Sequence, residues 1–165
     1  MKKQPQYETN DCNSIIRFGT PDSKLHITVF SNPYCNPCAK MHKMIDDLLQ
    51  KVNKNINVQY ILSSFEEKLN STNNYFIAAS LDNKIDSIIQ LFNDWFENGK
   101  VFHDDYFSNL SLNMENPEIE SELEKHESWK NKNQLRGTPT VLVNGYRLPE
   151  SYKIEDLRFF TDLEL

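Results

Sequence analysis

The chain has 165 residues, enough for one domain carrying an insertion of moderate size. Acidic side chains outnumber basic ones 24 to 18, for a net charge of −6, and no basic stripe runs along any segment, which argues against a nucleic-acid partner held by phosphate neutralisation. No run of about eighteen apolar residues reads as a membrane-spanning helix, and Met1–Asn10 is too polar for the apolar core of a secretory leader. Two expectations about compartment follow: cytoplasmic for the chain as it stands, periplasmic or otherwise extracytoplasmic for an excised or mature domain.

Residues 1–13 read as a polar lead-in, and 14–165 as the folded domain. Ile15 to Phe18 suits a short strand, closed by the turn signal Gly19-Thr20-Pro21-Asp22. Leu25 to Phe30 is rich in β-branched and aromatic residues and predicts a central strand, ended by Ser31-Asn32-Pro33. After Tyr34-Cys35-Asn36-Pro37-Cys38, the residues Met41, Met44, Ile45, Leu48, Leu49 and Val52 recur at three- and four-residue steps, the period of an amphipathic helix. Pro37 fits its first turn, where a missing N–H costs nothing. Asn57 to Leu62 predicts the next strand.

From Ser71 to Gly99 the pattern is helical, with a broad apolar face from Phe76 to Phe96, a break near Asp82-Asn83 and Gly99 as a C-cap. Val101 to Asn116 gives no clear pattern. Another helix is expected from Pro117 to about Asn133, with Ile119, Leu123 and Trp129 facing inward. Thr138 to Val143 predicts a strand introduced by proline, and Asn144-Gly145 a tight hairpin turn. Tyr146 to Pro149 would return, and Ile154 to Phe160 would close the chain as a short helix.

Chemistry concentrates in Cys35 and Cys38. Three cysteines are too few and too odd in number for a disulfide framework. A C-x-x-C pair at the start of an amphipathic helix instead suits a thiol–disulfide exchanger. Unpaired N–H groups and the helix dipole favour the thiolate of Cys35, and Cys38, one turn inward, is placed to attack a mixed disulfide and release the substrate. A static disulfide in a binding or chaperone module is the rival of a different class. A zinc site would need His42 or Cys12 beside the pair and finds no second ligand pair at suitable spacing. Cys12 reads as a buried thiol, or as a third redox participant if it lies near the pair. His26, His42, His103 and His126 read as surface or packing residues, with His42 alone placed to tune the thiolate.

The segments Phe30-Ser31-Asn32-Pro33-Tyr34-Cys35-Asn36-Pro37-Cys38-Ala39-Lys40 and Arg136-Gly137-Thr138-Pro139-Thr140-Val141-Leu142-Val143-Asn144-Gly145 resemble the thioredoxin superfamily, above all the branch of the bacterial disulfide-bond proteins DsbA and DsbG. The tail from Leu148 to Leu157 matches the same branch. A further resemblance is to the thioredoxin-like domains fused to vitamin K epoxide reductase-type membrane proteins. The resemblance implies an α/β thioredoxin-like fold with an α-helical insertion, about residues 68–134, between the second core strand–helix region and the cis-proline strand. Pro139 follows Cys35 by 104 residues, more than twice the distance in a plain thioredoxin, and the helical run from Ser71 to Asn133 accounts for the excess.

The resemblance also implies that Thr138–Pro139 is a cis peptide bond beside the cysteines, offering backbone to an extended substrate chain, with Tyr34 as a substrate-groove aromatic. No metal or organic cofactor is called for. The implied partners are protein thiols and disulfides and a redox-resetting protein, a membrane oxidoreductase where the likeness to fused domains applies. Two departures stand out. Relatives bury a carboxylate six residues before the first cysteine, where this chain has Val29, and the dipeptide Asn36-Pro37 is neither the Pro-His of strong oxidants nor the Gly-Pro of thioredoxin. The direction of electron flow stays open.

Overall fold

The computed structural model describes residues 4–10, 12–52, 55–82, 87–99 and 106–161. Five strands form one sheet: β1 (Arg17–Gly19), β2 (His26–Ser31), β3 (Asn57–Leu62), β4 (Thr140–Val143) and β5 (Tyr146–Arg147), in the order β1-β3-β2-β4-β5. β2 and β3 run parallel, because the helix between them, α1 (Asn36–Lys51), crosses over one face of the sheet. β1, β4 and β5 pair antiparallel. Val29 lies at the centre, opposite Tyr60 on one side and Val141 on the other.

Strand alternation divides the side chains between two layers. Ile27, Val29, Val58, Tyr60, Val141 and Val143 face the larger core, which holds Ile45, Leu48 and Leu49 of α1 and the aromatic residues of the helical segment. Phe30, Ile61 and Leu142 face the opposite side and pack with Cys12 and Trp129. Burial on both faces explains why β2 and β3 read as near-continuous β-branched and aromatic runs.

Between β3 and β4 the described residues hold a 3₁₀ turn over Glu67–Leu69, α2 (Asn70–Leu81), α3 (Ile88–Asp94), a π-helical turn over Trp95–Gly99, a second 3₁₀ turn over Ser108–Leu110, and α4 (Glu118–Lys132). α2 and α3 lie with α1, whereas α4 brings Trp129 to the other face of the sheet. The expected break after Asp82 falls at the end of α2, with residues 83–86 outside the described residues. His103 also lies outside them.

Local detail adds to these expectations. Gly99 is not a left-handed cap: a Cβ there would meet the Trp95 ring at 2.6 Å, so glycine is required by the close approach of that indole. The last helix spans Ile154–Phe160, the bounds expected for it, and is 3₁₀. Part of the polar lead-in meets the sheet: Gln6 bridges Tyr146, the Tyr7 N–H donates to the Gly145 carbonyl at 2.7 Å, and the Trp129 indole donates to the Glu8 carbonyl at 2.6 Å. Asn144 and Gly145 both take positive φ, 48° and 82°, the geometry of the hairpin turn expected there.

Candidate active site

Cys35 is the N-cap of α1. Its backbone is extended (φ −84°, ψ 123°), and its sulfur accepts a hydrogen bond from the Cys38 N–H at 3.3 Å. A cap oxygen would ordinarily fill that place. Pro37 occupies the first turn, and Asn36 and Pro37 are exposed while Cys35 is half-buried. One turn on, Cys38 is buried on the core side of the helix. Both thiols are free.

The Thr138–Pro139 peptide bond is cis, and the Thr138 carbonyl accepts from the Cys35 thiol at 3.6 Å. A residue 103 positions away is thus brought to the first cysteine by the pairing of β4 with β2. Burial pushes the Cys38 thiol up to about 11, and its contact with Cys35 adds to this, while the Asn32 N–H and the side chains of Thr138 and Ser31 act in the opposite sense. The Asn32 N–H reaches the Cys38 sulfur at 3.5 Å.

The loop before the motif is held by groups that sequence reasoning passed over. The Asn32 carbonyl accepts from the Cys35 N–H at 3.1 Å, and its side-chain oxygen accepts from the Tyr34 N–H at 2.9 Å. The Trp95 indole donates to the Pro33 carbonyl at 2.9 Å. Tyr34, expected at a substrate groove, packs its ring edge-on against Trp95 and hydrogen-bonds Thr72 through its hydroxyl, so it lies at the seam between the motif loop and the helical segment. The signals for these roles, an Asn two residues before the Tyr and a Trp in an apolar run, are too common to have singled them out.

Other candidates lie apart. Cys12 is buried on the opposite face of the sheet, where burial pushes its thiol up to about 12. His42 is fully buried on α1 and bonds the Tyr60 hydroxyl at 2.9 Å. His126 is buried between Ser14 and Glu122. No cluster of three metal-ligating side chains occurs among the described residues.

A five-stranded mixed sheet with a dithiol at the N-terminus of its crossover helix and a cis-proline facing it defines the thioredoxin class of fold. Residues 12–162 match the family described as Thioredoxin, and the chain belongs to that family. A search of curated proteins finds no match. Among solved structures, the chain is similar to Proteus mirabilis ScsC in a transitional conformation, with a TM-score of 0.74 and 14% identity over 92% of this chain and 74% of that one. It is similar to oxidised BdbD from Bacillus subtilis, at 0.67 and 15%, covering 93% of this chain and 90% of that one. It is also similar to the thiol-disulfide exchange protein α-DsbA2 from Wolbachia pipientis, at 0.71 and 12%, covering 89% and 85%. At these identities the likeness is one of fold, and the fold is that of DsbA-type proteins.

Proposed function

We propose that the chain is a protein thiol–disulfide oxidoreductase that exchanges disulfides with protein substrates through Cys35-Asn36-Pro37-Cys38. The observation that carries this reading is the placement of the Cys35 sulfur, capping α1 at 3.3 Å from the Cys38 N–H and meeting the Thr138 carbonyl at 3.6 Å. The half-buried sulfur therefore sits at the helix N-terminus with a backbone N–H aimed at it, open to an incoming disulfide.

In this reading the Cys35 thiolate attacks one sulfur of a substrate disulfide, forming a mixed disulfide and releasing the first substrate thiolate. The Cys38 thiolate then attacks Cys35, closing the Cys35–Cys38 disulfide and releasing the second. The same steps in reverse give a disulfide to a substrate dithiol. Thr138 and Pro139 present backbone along which an extended substrate chain pairs, and Tyr34, with Trp95 behind it, fixes the loop that aims Cys35. Residues 14–165 act as one unit, the helical insertion of about 68–134 bracing that loop. A second redox protein resets the couple, and the likeness to fused domains favours a membrane oxidoreductase for that role.

The test is turnover. Reduction of insulin disulfides, or oxidation of a reduced test protein, is expected in the native chain and lost in Cys35→Ser, while Cys38→Ser is expected to accumulate a mixed disulfide visible by mass. Full exchange by Cys35→Ser would sink the reading, and no exchange by either form would leave a thioredoxin-fold binding or chaperone module.

A further inference from the structure

Under the exchange reading, a substrate chain covers Cys35 at the end of the sheet from which the motif loop leaves. β2 and β3 run parallel and both end there, and β4, antiparallel to β2, begins there. In the order β3-β2-β4, the loop leaving β2 toward Cys35 therefore lies between the turn after β3 and the Thr138–Pro139 segment before β4. On the β4 side the Thr138 carbonyl stands 3.6 Å from the Cys35 sulfur. Main-chain pairing along Thr138 is blind to the substrate's side chains, so a preference among substrates has to come from side chains that flank it.

The turn after β3 is bonded to the motif loop. The Ser63 N–H donates to the Ser31 carbonyl at 3.0 Å, and the Asn32 side-chain amide donates to the Ser64 carbonyl at 3.4 Å. Asn32 is the same residue whose carbonyl accepts from the Cys35 N–H at 3.1 Å. The turn is also closed on itself. The Ser64 hydroxyl reaches the Glu66 carbonyl at 2.7 Å, and Ser63 Oγ accepts from the Phe65 N–H at 3.4 Å while it donates to Glu127 at 2.7 Å.

Phe65 sits in this turn with φ at 59°, a left-handed conformation that is costly for a bulky side chain. The other residues with a side chain and positive φ, Asn13, Ser111, Gln134 and Asn144, are all polar. A turn that only had to redirect the chain would take glycine or asparagine at that position. Nor does the core account for the ring. Phe65 meets the buried Phe30 edge-on at 5.8 Å and has Lys130 Nζ at 5.4 Å from its centre, yet it remains 46% exposed. Lys130 is itself paired with Glu127, the carboxylate that Ser63 holds, so the surroundings of the ring are fixed.

We propose that Phe65 is a specificity-determining residue for the exchange, the free part of its ring packing against an apolar side chain next to the reacting cysteine of a protein substrate. Covering the ring with an apolar group removes surface from water on both partners. A ring already held by its turn, by Phe30 and by Lys130 loses little freedom when it does so. The two flanks of Cys35 then divide the work, with Thr138 binding any extended chain and Phe65 choosing among them.

The experiment mixes reduced protein with either of two symmetric peptide disulfides, whose cysteine is flanked on both sides by phenylalanine in one and by serine in the other. Rates over a range of peptide concentration give a limiting rate and a half-saturating concentration for each. Wild type is expected to favour the phenylalanine peptide about fivefold or more, with the difference carried by the half-saturating concentration. Phe65→Asn, which suits a left-handed backbone, is expected to abolish the preference, and Phe65→Tyr, which keeps the ring, to retain it. Absence of the preference in wild type overturns the assignment without need of a variant. So does a preference that persists in Phe65→Asn, or one that Phe65→Tyr also loses. An equal loss on both peptides overturns it too, since it leaves the preference intact and makes Phe65 a residue of the fold alone. If wild type reacts with neither peptide, the exchange reading falls and takes the assignment with it.

Discussion

Asn32 sends bonds in four directions. Its N–H meets the Cys38 sulfur, its carbonyl accepts from the Cys35 N–H, its side-chain oxygen accepts from the Tyr34 N–H, and its side-chain amide donates to the Ser64 carbonyl at 3.4 Å. Removing the side chain in Asn32→Ala leaves two backbone groups beside the motif without these partners. That should cost about 2 kcal/mol, read as a lower urea midpoint. Asn32→Asp keeps the acceptor for Tyr34 and loses only the donor to Ser64, so it should recover at least half of the loss, and equal losses in the two variants would deny the side-chain oxygen its role. The cysteines were legible from sequence because their chemistry and spacing are rare together. Asn32 was not, since its partners are backbone groups whose proximity depends on the fold. Val29 was legible as a strand residue, and it lies in register with Tyr60.

At the scale of elements, legibility followed side-chain period. The strand predicted at Asn57 to Leu62 matches β3 residue for residue, and α1 buries Ile45, Leu48 and Leu49 as their spacing predicts, while Met44, expected beside them, is exposed. α2 is buried on several sides, at Thr72, Asn73, Phe76, Ile77, Ala78 and Ala79, so no single stripe marks its inner face. The lead-in pairs through backbone atoms, which leave no side-chain pattern at all.

α4 shows what this hides. The Leu62 N–H donates to His126 Nδ1 at 3.2 Å, which assigns the proton to Nε2, where Glu122 at 3.1 Å and Ser14 at 3.0 Å accept it. Glu122 also accepts from the Ile15 N–H at 2.8 Å and pairs with Lys125. One carboxylate therefore ties α4 to the segment entering β1. Glu122→Ala should cost about 3 kcal/mol, because it leaves the Ile15 N–H and the buried imidazole N–H short of an acceptor. Glu122→Gln keeps an oxygen for one of them and should cost about half as much. Thermal unfolding of the three proteins checks the order, and a Gln variant as unstable as Ala would show that charge, not acceptance, matters.

For the molecule as a whole, the two faces of the sheet hide titratable groups of opposite kinds, and both make the fold acid-sensitive. On the α1 side, His42 sits among the rings of Phe18, Tyr60, Phe92 and Phe96, and burial lowers it to about 4. In an unfolded chain it would titrate near 6.5. The unfolded state therefore binds the extra proton first, so stability is full above about pH 6.5 and is lost as pH falls toward 4. On the α4 side, Glu122 is lowered to about 2, because hydrogen bonds from His126, Lys125 and the Ile15 N–H outweigh a desolvation that acts the other way. Its contribution is present above its ordinary 4.5 and fades as pH falls through 2. The two windows follow one another, with His42 governing pH 6.5 to 4 and Glu122 the range below. Between pH 7 and 4.5 the His42 site should remove about 2 kcal/mol of stability. His42→Phe, which keeps an aromatic ring in that cluster, is expected to be less stable than wild type at pH 7, where Tyr60 loses its partner, yet to lose correspondingly less on acidification. Urea midpoints at the two pH values decide it: parallel losses in wild type and variant would mean that His42 is already protonated in the folded protein or that the acid-sensitive group lies elsewhere.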